Sequence, residues 1–207
     1  MIYPKENRLL YYILRVYVRY ILKMHFYKIN FNAVNIDESK SVLMIANHFS
    51  IWDGLLLYWV TKRGLGKKFH VLLLEDTQIK QPMLKYGGAF SISKRSKSII
   101  ESLDYAAQLL NDPQNLVLIF PQGKLHSNFV TEVQFEKGVM KIIAKAADKF
   151  QLVYAATFIE SFQYKKPTAN IYLSNHTNCT FENIEALTHH YQQHYDEARR
   201  LQTKITL

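Results

Sequence analysis

Five short apolar runs rich in β-branched residues recur along the chain: SVLMIA at 41–46, FHVLLL at 69–74, FSI at 90–92, NLVLIF at 115–120 and LVYAATFI at 152–159. Segments of helical period lie near 53–62, 77–85, 96–111 and 136–148. Strand and helix in alternation predict an α/β fold with a largely parallel central sheet flanked by helices. In such sheets ligands bind where the strands end. Turn signals support the boundaries: Gly87-Gly88 precedes one run, Asn111-Asp112-Pro113 precedes another, and Pro121 closes NLVLIF. IYLSNHT at 171–177 adds a late strand, and 183–205 reads as a polar, charged terminal helix.

No linker divides the 207 residues, so one domain is expected over 31–207, preceded by an N-terminal amphipathic helix within 1–30. Hydrophobic residues make up 48% and charged residues 21%, which excludes a disordered or collagen-like chain. A single Cys excludes a disulfide framework and points to a reducing compartment. The formal charge of +9 calls for an anionic partner: nucleic acid, a membrane surface or an acidic cofactor.

The N-terminus narrows that choice. At 100° per residue Lys5, Arg8, Arg15, Arg19 and Lys23 fall within an arc of roughly 80°. Leu10, Ile13, Leu14, Tyr17, Ile21 and Met24 occupy the opposite side. A cationic stripe beside an apolar, aromatic face suits the plane of an anionic bilayer interface. Arg15 and Arg19 interrupt any spanning run, and the same interruption argues against a signal peptide. The alternative is a helix whose apolar face docks on the domain.

His48 and Asp53 stand where SVLMIA ends. Their spacing alone is a weak motif, and Ser50-Ile-Trp-Asp53 also fits a capping box, which would explain Asp53 without chemistry. On a continuous helix, side chains five residues apart diverge by about 140°, so the two meet only across a bend. The strand-to-helix boundary at 47–51 supplies that bend. A carboxylate on Nδ1 would then leave Nε2 free to accept a proton. LIFPQGKLHS at 118–127 ends another apolar run: Phe-Pro directs the exit, Gly123 permits close backbone approach, and Gln122 and Lys124 add polar groups. Alone it reads as an ordinary turn. GGAFSISKRSKS at 87–98 ends in Lys94, Arg95 and Lys97, which suit an anion or simply water.

Together these stretches resemble the PlsC-like glycerolipid acyltransferases, the group that includes 1-acylglycerol-3-phosphate acyltransferases. The family's Asn-His-x-Ser-x-x-Asp block is matched by Asn47, His48, Ser50 and Asp53. Its Gly-x-Phe-x-Ile-x-Arg block is similar to Gly88, Phe90 and Ile92, with Lys94 or Arg95 near the family's Arg. Its Phe-Pro-Glu-Gly-Thr-Arg-Ser block is matched by Phe120, Pro121 and Gly123, with Gln122 for Glu and Lys124-Leu125 for Thr-Arg. Phe135-Glu136-Lys137-Gly138 and Val153–Ile159 echo the later blocks, so order and spacing agree over roughly 40–160.

The resemblance implies acyl transfer from a thioester, acyl-CoA or acyl carrier protein, to the hydroxyl of a lipid-like acceptor. His48 would be the general base and Asp53 its orienting partner. Asn47, Ser50, Gly88, Lys94, Arg95, Phe120, Pro121, Gln122, Gly123 and Lys124 would bind substrate. Backbone amides near Gly123 or in the 47–51 turn would hold the oxyanion. No metal, bound cofactor or enzyme nucleophile is implied. The partners expected are an anionic membrane surface, the thioester and the acceptor, and not nucleic acid; the place is the cytoplasmic face of the cell membrane. In the family the missing Arg is associated with acceptor phosphate, so Lys124 or the 94–97 cations substitute, or the acceptor has no phosphate. The rival readings are an inactive relative serving as a basic membrane module, and nucleic-acid binding, for which no motif accompanies the charge. Cys179 reads as inert, and His190 and His194, four apart, read as a solvated helix face rather than a metal site.

Overall fold

All the apolar runs become strands of one seven-stranded sheet in the computed structural model, which describes residues 1–92, 96–176 and 181–206. The strands are β1 (Lys28–Phe31), β2 (Ser41–Ala46), β3 (Lys68–Leu74), β4 (Ala89–Ile92), β5 (Asn115–Ile119), β6 (Phe150–Glu160) and β7 (Thr168–His176), in the order β1-β7-β6-β2-β5-β3-β4. Every neighbouring pair is parallel except β6 and β7. The fold is therefore the largely parallel α/β sheet expected. β1 has no counterpart in the sequence reading, because KINF is four residues long and only partly buried at the sheet edge.

The central strands are predominantly apolar because both faces are covered. Along β2, Val42, Met44 and Ala46 face one core, which also holds residues of α1 (Arg8–His25) and α2 (Asp53–Val60). Leu43 and Ile45 face the other, with residues of α4 (Ser96–Leu109), α5 (Gly138–Ala146) and α6 (Ile184–Gln202). The segment expected to be helical at 77–85 is instead α3 (Glu75–Lys80) followed by a 3-10 turn at Pro82–Gly87, because proline offers no backbone N–H to continue the helix. The N-caps of α1 and α6 are asparagines: Asn7 Oδ1 accepts from the Leu10 N–H and Asn183 Oδ1 from the Ala186 N–H.

Helix α1 docks on the domain along a different stripe from the one read off the wheel. Leu14, Val18 and Leu22 are buried, whereas Ile13, Tyr17 and Met24 remain in solvent with Leu9, Tyr12, Val16 and Tyr20. Gly87 makes room for one residue of the docked stripe. A β-carbon there would sit 2.6 Å from Leu14 Cδ2, so the missing side chain admits Leu14 against the 3-10 turn. One stripe docks, as the second of the two expectations has it, and another apolar arc stays open beside Arg8, Arg15, Arg19 and Lys23. No helix among the described residues is long and apolar enough to cross a membrane.

One buried group makes the stability of this core depend on pH. His70 on β3 is 4% exposed, with Nε2 3.2 Å from Asn115 Oδ1, and burial pushes its imidazole down to about 4. Its folded pKa lies below the ordinary value of 6.5, so the unfolded chain binds more protons between the two. The stabilisation is complete above about pH 6.5 and is lost as pH falls toward 4, a decline on the order of 2–3 kcal/mol. Urea midpoints measured between pH 7.5 and 4.5 are expected to fall accordingly, and less steeply in His70→Gln; a flat profile in the parent protein would contradict the burial.

Candidate active site

The carboxyl ends of β2, β5 and β6 lie side by side, since β2 pairs with both neighbours in parallel. The chain leaves β2 toward α2 on one face and β5 toward α5 on the other, which opens a crevice between the two exits. Asn47, the first residue beyond β2, is wholly buried and ties that end to β6. Its Nδ2 donates to Thr157 O at 3.0 Å and its Oδ1 accepts the Thr157 N–H at 2.7 Å.

His48 follows, with its backbone N–H donating to Gln122 Oε1 at 2.7 Å. The imidazole Nδ1 lies 3.0 Å from Asp53 Oδ2, and the ring stacks on Phe120 at a centroid distance of 4.3 Å and an angle of 20°. The same Asp53 oxygen accepts the N–H groups of Phe49 and Ser50, both at 2.8 Å. The capping and pairing readings of Asp53 are therefore not rivals, because one oxygen does both. The capping box forms only in part: Ser50 Oγ accepts from the Trp52 N–H at 3.2 Å, while the Asp53 N–H goes to the Ser50 carbonyl. The bend is too tight for the serine to reach across it.

Burial divides the pair unequally. The Asp53 side chain is 1% exposed and that of His48 26%. A carboxylate accepting at Nδ1 requires the proton on that nitrogen, which leaves the Nε2 lone pair for a proton from elsewhere. Among the described residues Nε2 makes no hydrogen bond. The arrangement can accept a proton and hold the resulting imidazolium against a fixed negative charge.

Phe120, Pro121, Gln122 and Gly123 all come to this crevice. Pro121 O accepts the Glu136 N–H at 2.8 Å, and Gly123 turns the chain with φ +68°. Lys124 is exposed on the turn. Gly88 is placed elsewhere: it precedes β4, three strands from β2 and about 14 Å away at normal strand spacing. Its glycine serves the backbone, with φ +97° and a β-carbon position 1.9 Å from Phe69 O. Lys94, Arg95 and Cys179 lie outside the described residues.

Four amides of these two turns already have partners: His48 N–H bonds Gln122, those of Phe49 and Ser50 bond Asp53, and that of Gly123 bonds Phe120 O at 3.2 Å. One expectation needs correction: His190 and His194 do not form a solvated face. α6 turns them onto the sheet, where His190 Nδ1 lies 3.0 Å from the Tyr154 hydroxyl and His194 lies against Ser174 and the Tyr172 carbonyl. Burial pushes the His194 imidazole down to about 4. No group of residues suited to a metal ion occurs among the described residues.

Sequence reasoning missed the strap that joins β5 to α5 over 121–137. Its His126 N–H donates to His48 O at 2.9 Å. α6 fastens it: Tyr195 Oη donates to Val130 O at 2.7 Å, and Gln192 bonds Val133 N–H and Thr131 O. Tyr191, on the same helix, donates to Ala155 O beside Asn47. No local pattern announces such contacts, because the partners stand some 60 positions apart or more in the chain.

A family model described as Acyltransferase matches residues 28–160, from β1 to the end of β6, and so includes His48, Asp53 and the 120–123 turn. No curated protein matches the chain.

Proposed function

The chain belongs to the acyltransferase family, and from that premise we propose that it moves a fatty acyl group from a thioester, acyl-CoA or acyl carrier protein, to the hydroxyl of a lipid-like acceptor. The observation that carries this reading is the contact between His48 and Asp53 across the bend after β2, inside the matched region. His48 Nε2 takes the proton from the acceptor hydroxyl. The oxygen bonds the thioester carbonyl carbon, the carbon–sulfur bond breaks, and the proton passes from the imidazolium to the departing thiolate. Asp53 keeps the ring in its tautomer and offsets the charge it gains. Phe120 holds the ring by its flat face, while Asn47, Ser50 and Gln122 hold the turn that carries it. Gln122 uses its carbonyl oxygen toward His48, an atom that the Glu of the PlsC-like block would also supply.

Release of free thiol from a long-chain acyl-CoA, measured with and without hydroxyl acceptors, tests the reading. Acceptor-dependent release supports it, and its absence across lysolipids, monoacylglycerols and hydroxylated amphiphiles would end it.

The reaction takes place on an anionic membrane surface, the cytoplasmic face of the cell membrane being the proposed place. Supporting this is the open arc of α1, where Leu9, Tyr12, Ile13, Val16, Tyr17, Tyr20 and Met24 stand exposed beside four cations. α1 also ends against the active-site turn, with His25 and Phe26 both packed on Trp52. Replacing Arg8, Arg15 and Arg19 together by glutamine should weaken binding to vesicles rich in phosphatidylglycerol about a hundredfold, at about 1 kcal/mol per charge. Sedimentation with vesicles measures it, and unchanged partitioning would remove the helix from this role.

A further inference from the structure

Beside His48 the strap over 121–137 encloses an open groove of about 430 Å³, lined by His126, Phe129, Val130, Thr131, Glu132 and Gln134. It adjoins the main chain of the reacting residue, since the N–H of His126, one of its lining residues, donates to the His48 carbonyl. The groove is built before substrate arrives. α6 holds the strap through Tyr195 and Gln192, Asn128 Nδ2 donates to Ile159 O at 3.1 Å, and Val133 within it is buried.

The chemistry of the wall is specific in sign. It offers one carboxylate, a hydroxyl, an amide, an imidazole and an aromatic ring, and no lysine or arginine is among its lining residues. Leu125, next to His126 in the chain, is 49% exposed and carries no charge. Phe129, 92% exposed, is the aromatic residue of the lining. A phosphate dianion entering here would meet Glu132 with no guanidinium to pair it. A cationic head meets a carboxylate and an aromatic face, the two groups that recognise ammonium.

We infer that this groove takes the head group of the acceptor, and that the head is an ammonium-bearing one without a phosphate monoester. The inference rests on the acyl-transfer reading and names its acceptor class. The groove positions the head, and the acceptor's free hydroxyl extends from it to His48 Nε2.

Three acceptors decide the matter. They share an oleoyl chain and a secondary hydroxyl on a three-carbon backbone, and carry a phosphate, a hydroxyl or a trimethylammonium group on the remaining carbon. With palmitoyl-CoA and the full chain on vesicles, the trimethylammonium acceptor should give a kcat/KM at least about tenfold above the phosphate acceptor, which is the scale of one charge-assisted contact. Glu132→Lys should reverse that order, and Leu125→Arg should raise use of the phosphate acceptor; a merely structural role for either residue would lower all three rates alike. Preference for the phosphate acceptor in the parent protein overturns the inference and leaves acyl transfer standing. Preference for the neutral acceptor, unmoved by Glu132→Lys, overturns the ammonium assignment. Failure of all three overturns both readings together.

Discussion

Replacement of His48 by alanine is expected to lower thioester-dependent acylation by about a hundredfold to ten-thousandfold, the range that a positioned general base contributes, while the fold survives. The imidazole is 26% exposed and fills no closed core position. When it is removed, Asp53 Oδ2 still accepts the Phe49 and Ser50 N–H groups, so the bend that caps α2 keeps two of its three bonds to that oxygen. The thermal midpoint should therefore move little while acceptor-dependent thiol release disappears. Turnover within tenfold of the parent, in a protein with unchanged circular dichroism, would remove His48 from the chemistry. The comparison is informative because the anchors of the turn lie elsewhere: Asn47 on β6 and Gln122 on the exit of β5 remain in place.

The largest expected effect on stability lies away from the crevice. Gly88→Ala should cost about 4 kcal/mol or more, a size reached only where a named backbone or packing conflict exists. Two conflicts act together here. The residue has φ +97°, where a side chain is strained, and the added carbon would stand 1.9 Å from the Phe69 carbonyl oxygen. That carbonyl belongs to β3, which is held between β5 and β4 and cannot retreat without breaking ladders on both sides. A drop of roughly 10 °C in the thermal midpoint corresponds to that cost in a chain of this size. Gly54→Ala is the matched control, since nothing lies within 4 Å of its added carbon and the residue sits inside α2. Equal midpoints for the two variants would show that the close approach at Gly88 is absent. The glycine of that block is then explained by strand packing, with no need for a substrate to come near it.

The strands were legible because a run such as SVLMIA, apolar at every position after its serine, suits a strand covered on both faces, and every residue of β2 is buried. The bend between His48 and Asp53 was legible because a strand ended and a helix began within six residues, and both side chains came together there. The docked stripe of α1 was not legible. The wheel shows which residues are apolar, but which of them turn inward depends on what the helix meets: Leu14, Val18 and Leu22 are buried, and Gly87, 73 positions after Leu14, leaves room for that leucine. The burial of His194 and the grip of α6 on the strap were hidden for the same reason.

By itself the sequence determined what lies within a few residues along the chain: the strands, the turns after them, and which polar groups stand at the carboxyl ends of β2 and β5. Those follow from local period and backbone chemistry. Only the tertiary structure decided which of these ends adjoin, which amides were already bonded, and that a groove of one charge sign opens beside His48. Such features depend on side chains from distant elements meeting in three dimensions, and the linear order of residues carries no period that records those meetings.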